Sequence, residues 1–242
     1  EARRLAEMVQ SICEEQLVFG GGDEAYWLAA TRAEAILIAG DVPAAKQAYA
    51  DAVQGSNAGF AAVSSTRSQA RLLLQALGRD IAELDGCFQL PSVAAFAGHM
   101  FDSPRRKQER FPAKHAAKAK RNLKRLIDGK RIRFGYSALA CGGDLLFAEA
   151  LLEAGGELHV VLPFNKTLFR KVSVEIVPNR KWGKRFNAAL RRAASVTILN
   201  PGGDPANAEN FEYCNRAIAG MARLKAQSLG VDFSPVALWD GQ

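Results

Sequence analysis

Two patterns of hydrophobic and polar positions divide the chain near residue 90. Up to Leu90, apolar residues recur at helical spacing, most clearly in Glu24–Ala39. Gly40-Asp41 then separates this helix from a second one, in which Pro43 suits the first turn. Further helices are predicted at Leu5–Glu15, Gly59–Leu77 and Asp80–Cys87. We therefore expect an all-α region over residues 1–90.

After Pro91 the pattern changes to short apolar segments that alternate with helical ones. Five strands are predicted, at Val93–Gly98, Arg131–Ser137, Leu158–Pro163, Val196–Leu199 and Pro235–Trp239. Such alternation is typical of a parallel sheet, and right-handed crossovers bring all carboxyl ends of its strands to one edge, where ligands bind. The expected fold class is α/β: a mostly parallel Rossmann-like sheet with helices on both faces, over residues 91–242, after the all-α region.

Composition excludes several classes of protein. The 242 residues are 48% hydrophobic and 24% charged, as in ordinary globular domains, and the apolar runs are too short to cross a bilayer. The four cysteines are widely spaced and the three histidines do not cluster, so we expect neither a metal site nor a disulfide framework. A cytoplasmic protein without a membrane partner is expected. The opening Glu1-Ala2-Arg3-Arg4 lacks a Met, which indicates a fragment of a longer protein.

The positive charge is concentrated in one segment. Residues 103–131 hold twelve Lys/Arg and two acidic residues, a net +10, so the rest of the chain sums to −3 of the total +7. Three interpretations stay open. The loop arginines (Arg105, Arg106 and Arg110) could clamp phosphates; a helix over Lys114–Arg125 could bind nucleic acid; or the segment is a solvated helix face. The helix would carry Lys118, Arg121 and Arg125 on one face.

A turn of small residues follows the second predicted strand. Ser137, Ala138, Gly142 and Gly143 would let a ligand approach the backbone, and the helix that Asp144 opens offers unpaired N–H groups to a phosphate. In the alternative interpretation this is a tight strand–helix turn, in which Asp144 only caps the helix.

Other candidate ligand contacts also lie at predicted strand ends. After the first strand come Gly98, His99, Met100 and Asp102. His99 could donate to a phosphate or carry a proton, and Asp102 could orient His99 or bind a ribose hydroxyl; alternatively this is a packed loop. Pro163 and Phe164 could floor a base or ribose pocket, and Asp240 and Gly241 could contact ribose or turn the chain.

Residues 131–163 resemble the SLOG superfamily of Rossmann-like domains, which includes the DNA-uptake recombination mediators and the lonely-guy phosphoribohydrolases. The resemblance lies in the small-residue turn, the Asp144-led helix, Gly155-Gly156 and the strand Leu158–Leu162. The Trp27–Ala52 hairpin is similar to a tetratricopeptide-type repeat. The whole chain resembles bacterial multidomain proteins that join a TRAFs-binding-type helical region to a SLOG-like module.

The resemblance implies recognition of a nucleotide-derived ligand in bacterial signalling or defence, with no other cofactor indicated. It also implies a homodimer, and a protein partner or effector domain for the helical region. Some relatives hydrolyse an N-ribosidic bond, but their Pro-Gly-Gly-x-Gly-Thr-x-x-Glu motif is not matched by Pro201-Gly202-Gly203-Asp204.

We therefore predict a ligand sensor, in which Gly143→Val would block binding. One alternative is a nucleotide hydrolase that uses Glu149 or Asp102. The other is a nucleic-acid-binding module that uses the basic helix. No nucleophile–base–orienter set is visible in the sequence, so catalysis stays an open question.

Overall fold

The computed structural model describes residues 1–17, 22–55, 58–104, 106–178 and 181–239. The chain forms two compact units, Glu1–Leu90 and Pro91–Gln242. Each unit has its own hydrophobic core. The division falls where the sequence changes from helical periodicity to alternating strands and helices.

In its described part the first unit consists of helices. The α-helices are α1 (Ala2–Leu17), α2 (Gly22–Ala39), α3 (Val42–Gln54) and α4 (Phe60–Ala76). α1 packs against α2, and α2 against α3. Their core includes the fully buried Leu37, Tyr49 and Leu74. The helices predicted at Leu5–Glu15, Glu24–Ala39 and Gly59–Leu77 are confirmed.

The turn between α2 and α3 also follows the prediction. Gly40 has φ +97°, a conformation that glycine adopts without strain. Asp41 caps α3, because its Oδ1 accepts the N–H of Ala44 at 3.0 Å, and Pro43 occupies the first turn. That this hairpin is of the tetratricopeptide type stays a prediction.

The helix predicted at Asp80–Cys87 is wrong. Residues 81–84 form turns, and Asp85–Cys87 form a single 3-10 turn. Asp80 Oδ1 accepts the N–H of Ala82 at 2.9 Å, and such local bonds compete with helical ones. Gly86 further lowers the helix propensity of the segment.

The second unit alternates strands and helices. Its described strands are β1 (Ser92–Gly98), β2 (Ile132–Ser137), β3 (Glu157–Leu162), β4 (Ser195–Ile198) and β5 (Phe233–Leu238). Its α-helices are α5 (Ala116–Gly129), α6 (Gly143–Glu153), α7 (Lys166–Phe169), α8 (Trp182–Arg192) and α9 (Ala208–Ser228). A π-helical turn, Arg170–Val174, continues α7. All five predicted strands are confirmed.

The strands form one parallel sheet in the order β4-β3-β2-β1-β5. One side of the sheet, the α6 face, packs side chains such as Phe96 and Val160 against α5, α6 and α8. The other side, the α9 face, packs Tyr136 and Val161 against α9. The α/β class with helices on both faces is thereby confirmed. Among the helices described, none is both long and apolar enough to cross a membrane.

Strand order reverses at β1. From β1 the chain steps outward through β2 and β3 to β4, and then returns through α9 to place β5 on the other side of β1. In open parallel sheets, ligands bind outside the carboxyl ends of the strands, at the point where strand order reverses. The carboxyl ends of β1 and β5 are therefore the first place to look for a ligand.

Candidate functional site

The loop after β1 is closed by Asp102. Asp102 Oδ2 accepts the backbone N–H groups of Arg110 and Phe111, both at 3.0 Å, and the Asp102 N–H donates to the Phe111 carbonyl at 3.1 Å. Arg106 Nε lies 3.6 Å from the other carboxylate oxygen, Oδ1. Asp102 therefore holds the loop in shape, and its carboxylate faces the loop itself. This is a different role from the predicted contacts with His99 or with ribose.

Closing this loop brings His99 and Arg110 together. Arg110 Nη2 lies 3.4 Å from His99 Nε2. The neighbouring Phe111 is buried and stacks on Phe101, with ring centroids 4.5 Å apart, which anchors the backbone beside Arg110. Two of the predicted phosphate ligands, eleven residues apart in sequence, thus meet at the carboxyl end of β1.

The glycines of the predicted phosphate turn have a structural role. Gly142 has φ +110°, and a Cβ there would lie 2.6 Å from the carbonyl oxygen of His99. A Cβ on Gly143 would lie 2.9 Å from Gly98 Cα, and the Gly143 N–H donates to the His99 carbonyl at 2.9 Å. The space that these glycines leave is filled by the loop after β1.

The side chain of Asp144 lies at the start of α6, where a phosphate would otherwise bind. Its carboxylate accepts the N–H of Gly98 at 3.1 Å and that of Ala140 at 3.2 Å, and the residue is 6% exposed. Burial raises the pKa of Asp144 to about 7, against the lowering effect of the two hydrogen bonds. The structure therefore favours a tight strand–helix turn at Gly142–Asp144 over a phosphate site. The predicted helix cap is wrong, because the carboxylate bonds to N–H groups outside α6.

The other residues of this turn are also enclosed. Ser137 is fully buried, and within the described ranges its Oγ has no hydrogen-bond partner. Ala138 is half-buried and packs against the core. The Cys141 N–H donates to the Ser173 carbonyl at 2.8 Å, which ties the turn to the π-helical turn after α7. A ligand at the surface would not reach Ser137.

The end of β3 is part of the core. Pro163 is buried, and Phe164 is fully buried against the rings of Phe169 and Phe211, at centroid distances of 6.0 and 5.4 Å. The prediction that Pro163 and Phe164 form the floor of an open ligand pocket is therefore wrong. Burial of a residue that follows a strand depends on contacts distant in sequence, and the local pattern does not contain them.

The end of β5 adds a residue that the sequence analysis did not select. The His99 N–H donates to the Leu238 carbonyl at 3.1 Å, so Trp239 follows directly beside His99, and its side chain is 62% exposed. Met100 is 42% exposed in the same region. In the sequence, this position is indicated by the end of the last predicted strand, Pro235–Trp239, which belongs to the same sheet edge as the end of the first, Val93–Gly98. Arg105, Asp240 and Gly241 lie outside the described residues.

The described residues contain no group of three or more His, Cys, Asp or Glu side chains that could hold a metal ion. At the carboxyl end of β1, the structure places His99, Arg106 and Arg110 in one solvent-accessible group, with Trp239 beside it.

Comparison with known proteins gave one distant likeness. No protein-family model matches the chain, and no curated protein matches it. Among solved structures, the chain is similar to the X-ray structure of DNA processing protein A (DprA) from Streptococcus pneumoniae, at 18% sequence identity and a TM-score of 0.34. The match covers 64% of this chain and 52% of that one, so this chain matches about half of the other's length.

Proposed function

We propose that the second unit binds a phosphate-bearing, nucleotide-derived ligand at the carboxyl ends of β1 and β5, and that His99 and Arg110 hold the phosphate. The observation that carries the proposal is the 3.4 Å approach of Arg110 Nη2 to His99 Nε2 where strand order reverses. A guanidinium and an imidazole can both donate to phosphate oxygens.

The charges around this pair support an anionic ligand. Arg106 and Lys107 are exposed on the same loop. On this loop the Asp102 carboxylate is partly neutralised by two backbone N–H donors and by Arg106, and the Glu109 carboxylate pairs with Lys114 Nζ at 3.1 Å. A phosphate would thus meet several cations, and the carboxylates of Asp102 and Glu109 in the described part of the loop are already engaged.

Binding without turnover fits the positions of the carboxylates better than hydrolysis does. Glu149 accepts a bidentate pair of bonds from Arg185, the longer at 2.7 Å, and lies 3.4 Å from Lys120 Nζ. Asp102 is committed to its loop. A general base needs a free carboxylate within reach of the water that it activates. Neither of the two carboxylates named for hydrolysis has that freedom.

A thermal-shift screen tests the proposal. Mono-, di-, cyclic and ribosylated nucleotides are added to the full chain, and a ligand at 100 times its Kd stabilises the folded state by about 2.7 kcal/mol. Arg110→Ala and His99→Ala should each weaken binding by roughly 10- to 100-fold, the effect of losing a charged hydrogen bond. Arg121→Ala, an exposed arginine on α5, is the matched control.

Three results would contradict the proposal. A shift that survives both His99→Ala and Arg110→Ala places the ligand elsewhere. If Arg121→Ala also loses the thermal shift, the ligand is held by nonspecific attraction to the basic segment. A ligand recovered in cleaved form makes the protein an enzyme.

A second candidate function is binding of single-stranded nucleic acid along α5. Lys120 and Lys124 pair with Glu149 and Glu153 of α6, whereas the predicted basic face, formed by Lys118, Arg121 and Arg125, is exposed to solvent. Replacing these three residues with Gln should lower oligonucleotide affinity and reduce its salt slope by about 2, while His99→Ala should change neither. Fluorescence anisotropy between 50 and 200 mM salt would distinguish the two functions.

A further inference from the structure

A pocket of about 230 Å³ lies on the α9 face, between α9 and the paired strands β1 and β5. Ala95 pairs with Pro235 and Ala97 with Ala237 in the parallel register, so these four side chains lie on the same face of the sheet. All four are small, so the sheet surface beside α9 stays open. On the helix side the pocket is lined by Asn215, Ile218 and Ala219.

The pocket leads to the proposed phosphate site. The hydrogen bond from His99 to Leu238 extends the β1–β5 ladder one residue beyond the pair Gly98–Leu238. By strand alternation, His99 and Trp239 then belong to the same face as Ala97 and Ala237. Along this face of the sheet, the small residues that line the pocket are therefore followed by the imidazole of His99 and the exposed indole of Trp239.

We propose that this pocket binds the base of the ligand, while His99 and Arg110 hold its phosphate. This inference rests on the proposed function and names the chemistry of its ligand: a flat aromatic ring that carries a phosphorylated sugar. Alanine, proline and isoleucine side chains give the ring apolar walls, and the Trp239 indole offers a stacking surface at the mouth. Asn215 has the one polar side chain among the described lining residues, and it offers a donor and an acceptor to the ring edge.

Size and polarity favour a base over other groups. The volume is below the roughly 300–1,000 Å³ of sites that enclose a whole drug-sized ligand, so the pocket suits one ring system. A sugar in the pocket would place its hydroxyls against apolar walls without partners, which is unfavourable.

Calorimetric titration of the full chain tests the base pocket. The probes are ribose 5-phosphate and the 5′-monophosphates of adenosine, guanosine, cytidine and uridine. At least one nucleotide should bind about tenfold or more tightly than ribose 5-phosphate, since stacking of a base typically contributes roughly 5- to 150-fold. Ala237→Leu fills the pocket from an exposed position, and should remove this advantage while leaving ribose 5-phosphate affinity unchanged. Thr197→Leu, on the same face of the edge strand β4, should change neither affinity.

The outcomes separate this inference from the proposed function. If ribose 5-phosphate binds as tightly as every nucleotide, or if Ala237→Leu binds nucleotides like the wild type, the base pocket is wrong and the phosphate site stands. If neither ribose 5-phosphate nor any nucleotide binds, the proposed function fails together with the pocket.

Discussion

At the scale of single residues, Asp144 shows how a sequence motif can take a structural role. A carboxylate at the start of a helix, after two glycines, is compatible with a phosphate-binding turn and with a tight structural turn. Here the carboxylate accepts hydrogen bonds from the N–H groups of Gly98 and Ala140, and so joins the loop after β1 to the turn after β2. The titratable neighbours Cys141 and Cys214 keep their protons, because burial raises their pKa to about 11 and about 12.

The raised pKa of Asp144 predicts a dependence of stability on pH. Its ordinary pKa is 3.8, and in the folded chain it is about 7. Between these values the native state binds a proton that the unfolded state has lost, so the free energy of unfolding falls as pH rises from about 4 to about 7. Measured by urea unfolding, the stability of the wild type relative to Asp144→Asn should fall by on the order of 2–4 kcal/mol over this window. A difference that is constant with pH would contradict this assignment.

At the scale of elements, the strands could be predicted from sequence and their packing could not. Buried parallel strands appear in a sequence as short apolar runs, and this pattern predicts β1 to β5. The approach of the β1 loop to the start of α6 joins Gly98 to Gly143, 45 positions further on. Local patterns of polarity do not contain such a contact. The same reason explains why Phe164, predicted to floor a base or ribose pocket, is a core residue.

This junction predicts the effect of a methyl group at Gly143. A Cβ there would lie 2.9 Å from the backbone of Gly98, so Gly143→Ala should destabilise the fold by about 1–3 kcal/mol. Gly129→Ala, near the end of α5 with open space around its Cβ position, is the control and should be neutral or slightly stabilising. Equal melting temperatures for the two variants, measured by circular dichroism, would show that the junction is not tight. It follows that Gly143→Val would report on folding, and is unsuited as a test of ligand binding.

At the scale of the whole molecule, the proposed site depends on topology more than on any motif. The α/β class could be read from the pattern of polarity, and the division of the chain near residue 90 falls where that pattern changes. The placement of β5 beside β1 could not, because the order of strands in a parallel sheet is decided by how α9 packs across the sheet. That placement brings Trp239 and the apolar pocket to His99, one of the predicted ligand contacts, whereas the turn after β2, also predicted as a ligand site, is closed.

The most direct test of the central claim is a long-range ¹H–¹⁵N NMR spectrum of the histidine side chains, recorded while a nucleotide hit is titrated in. The chain has three histidines, so the spectrum is simple to assign. His159 bonds to Ser195 and Glu157 near the amino ends of β3 and β4, and His115 precedes α5, so both serve as internal controls. The account predicts that the ring nitrogens of His99 shift with ligand while those of His115 and His159 stay in place. Saturable binding that leaves the His99 signals unmoved would contradict it.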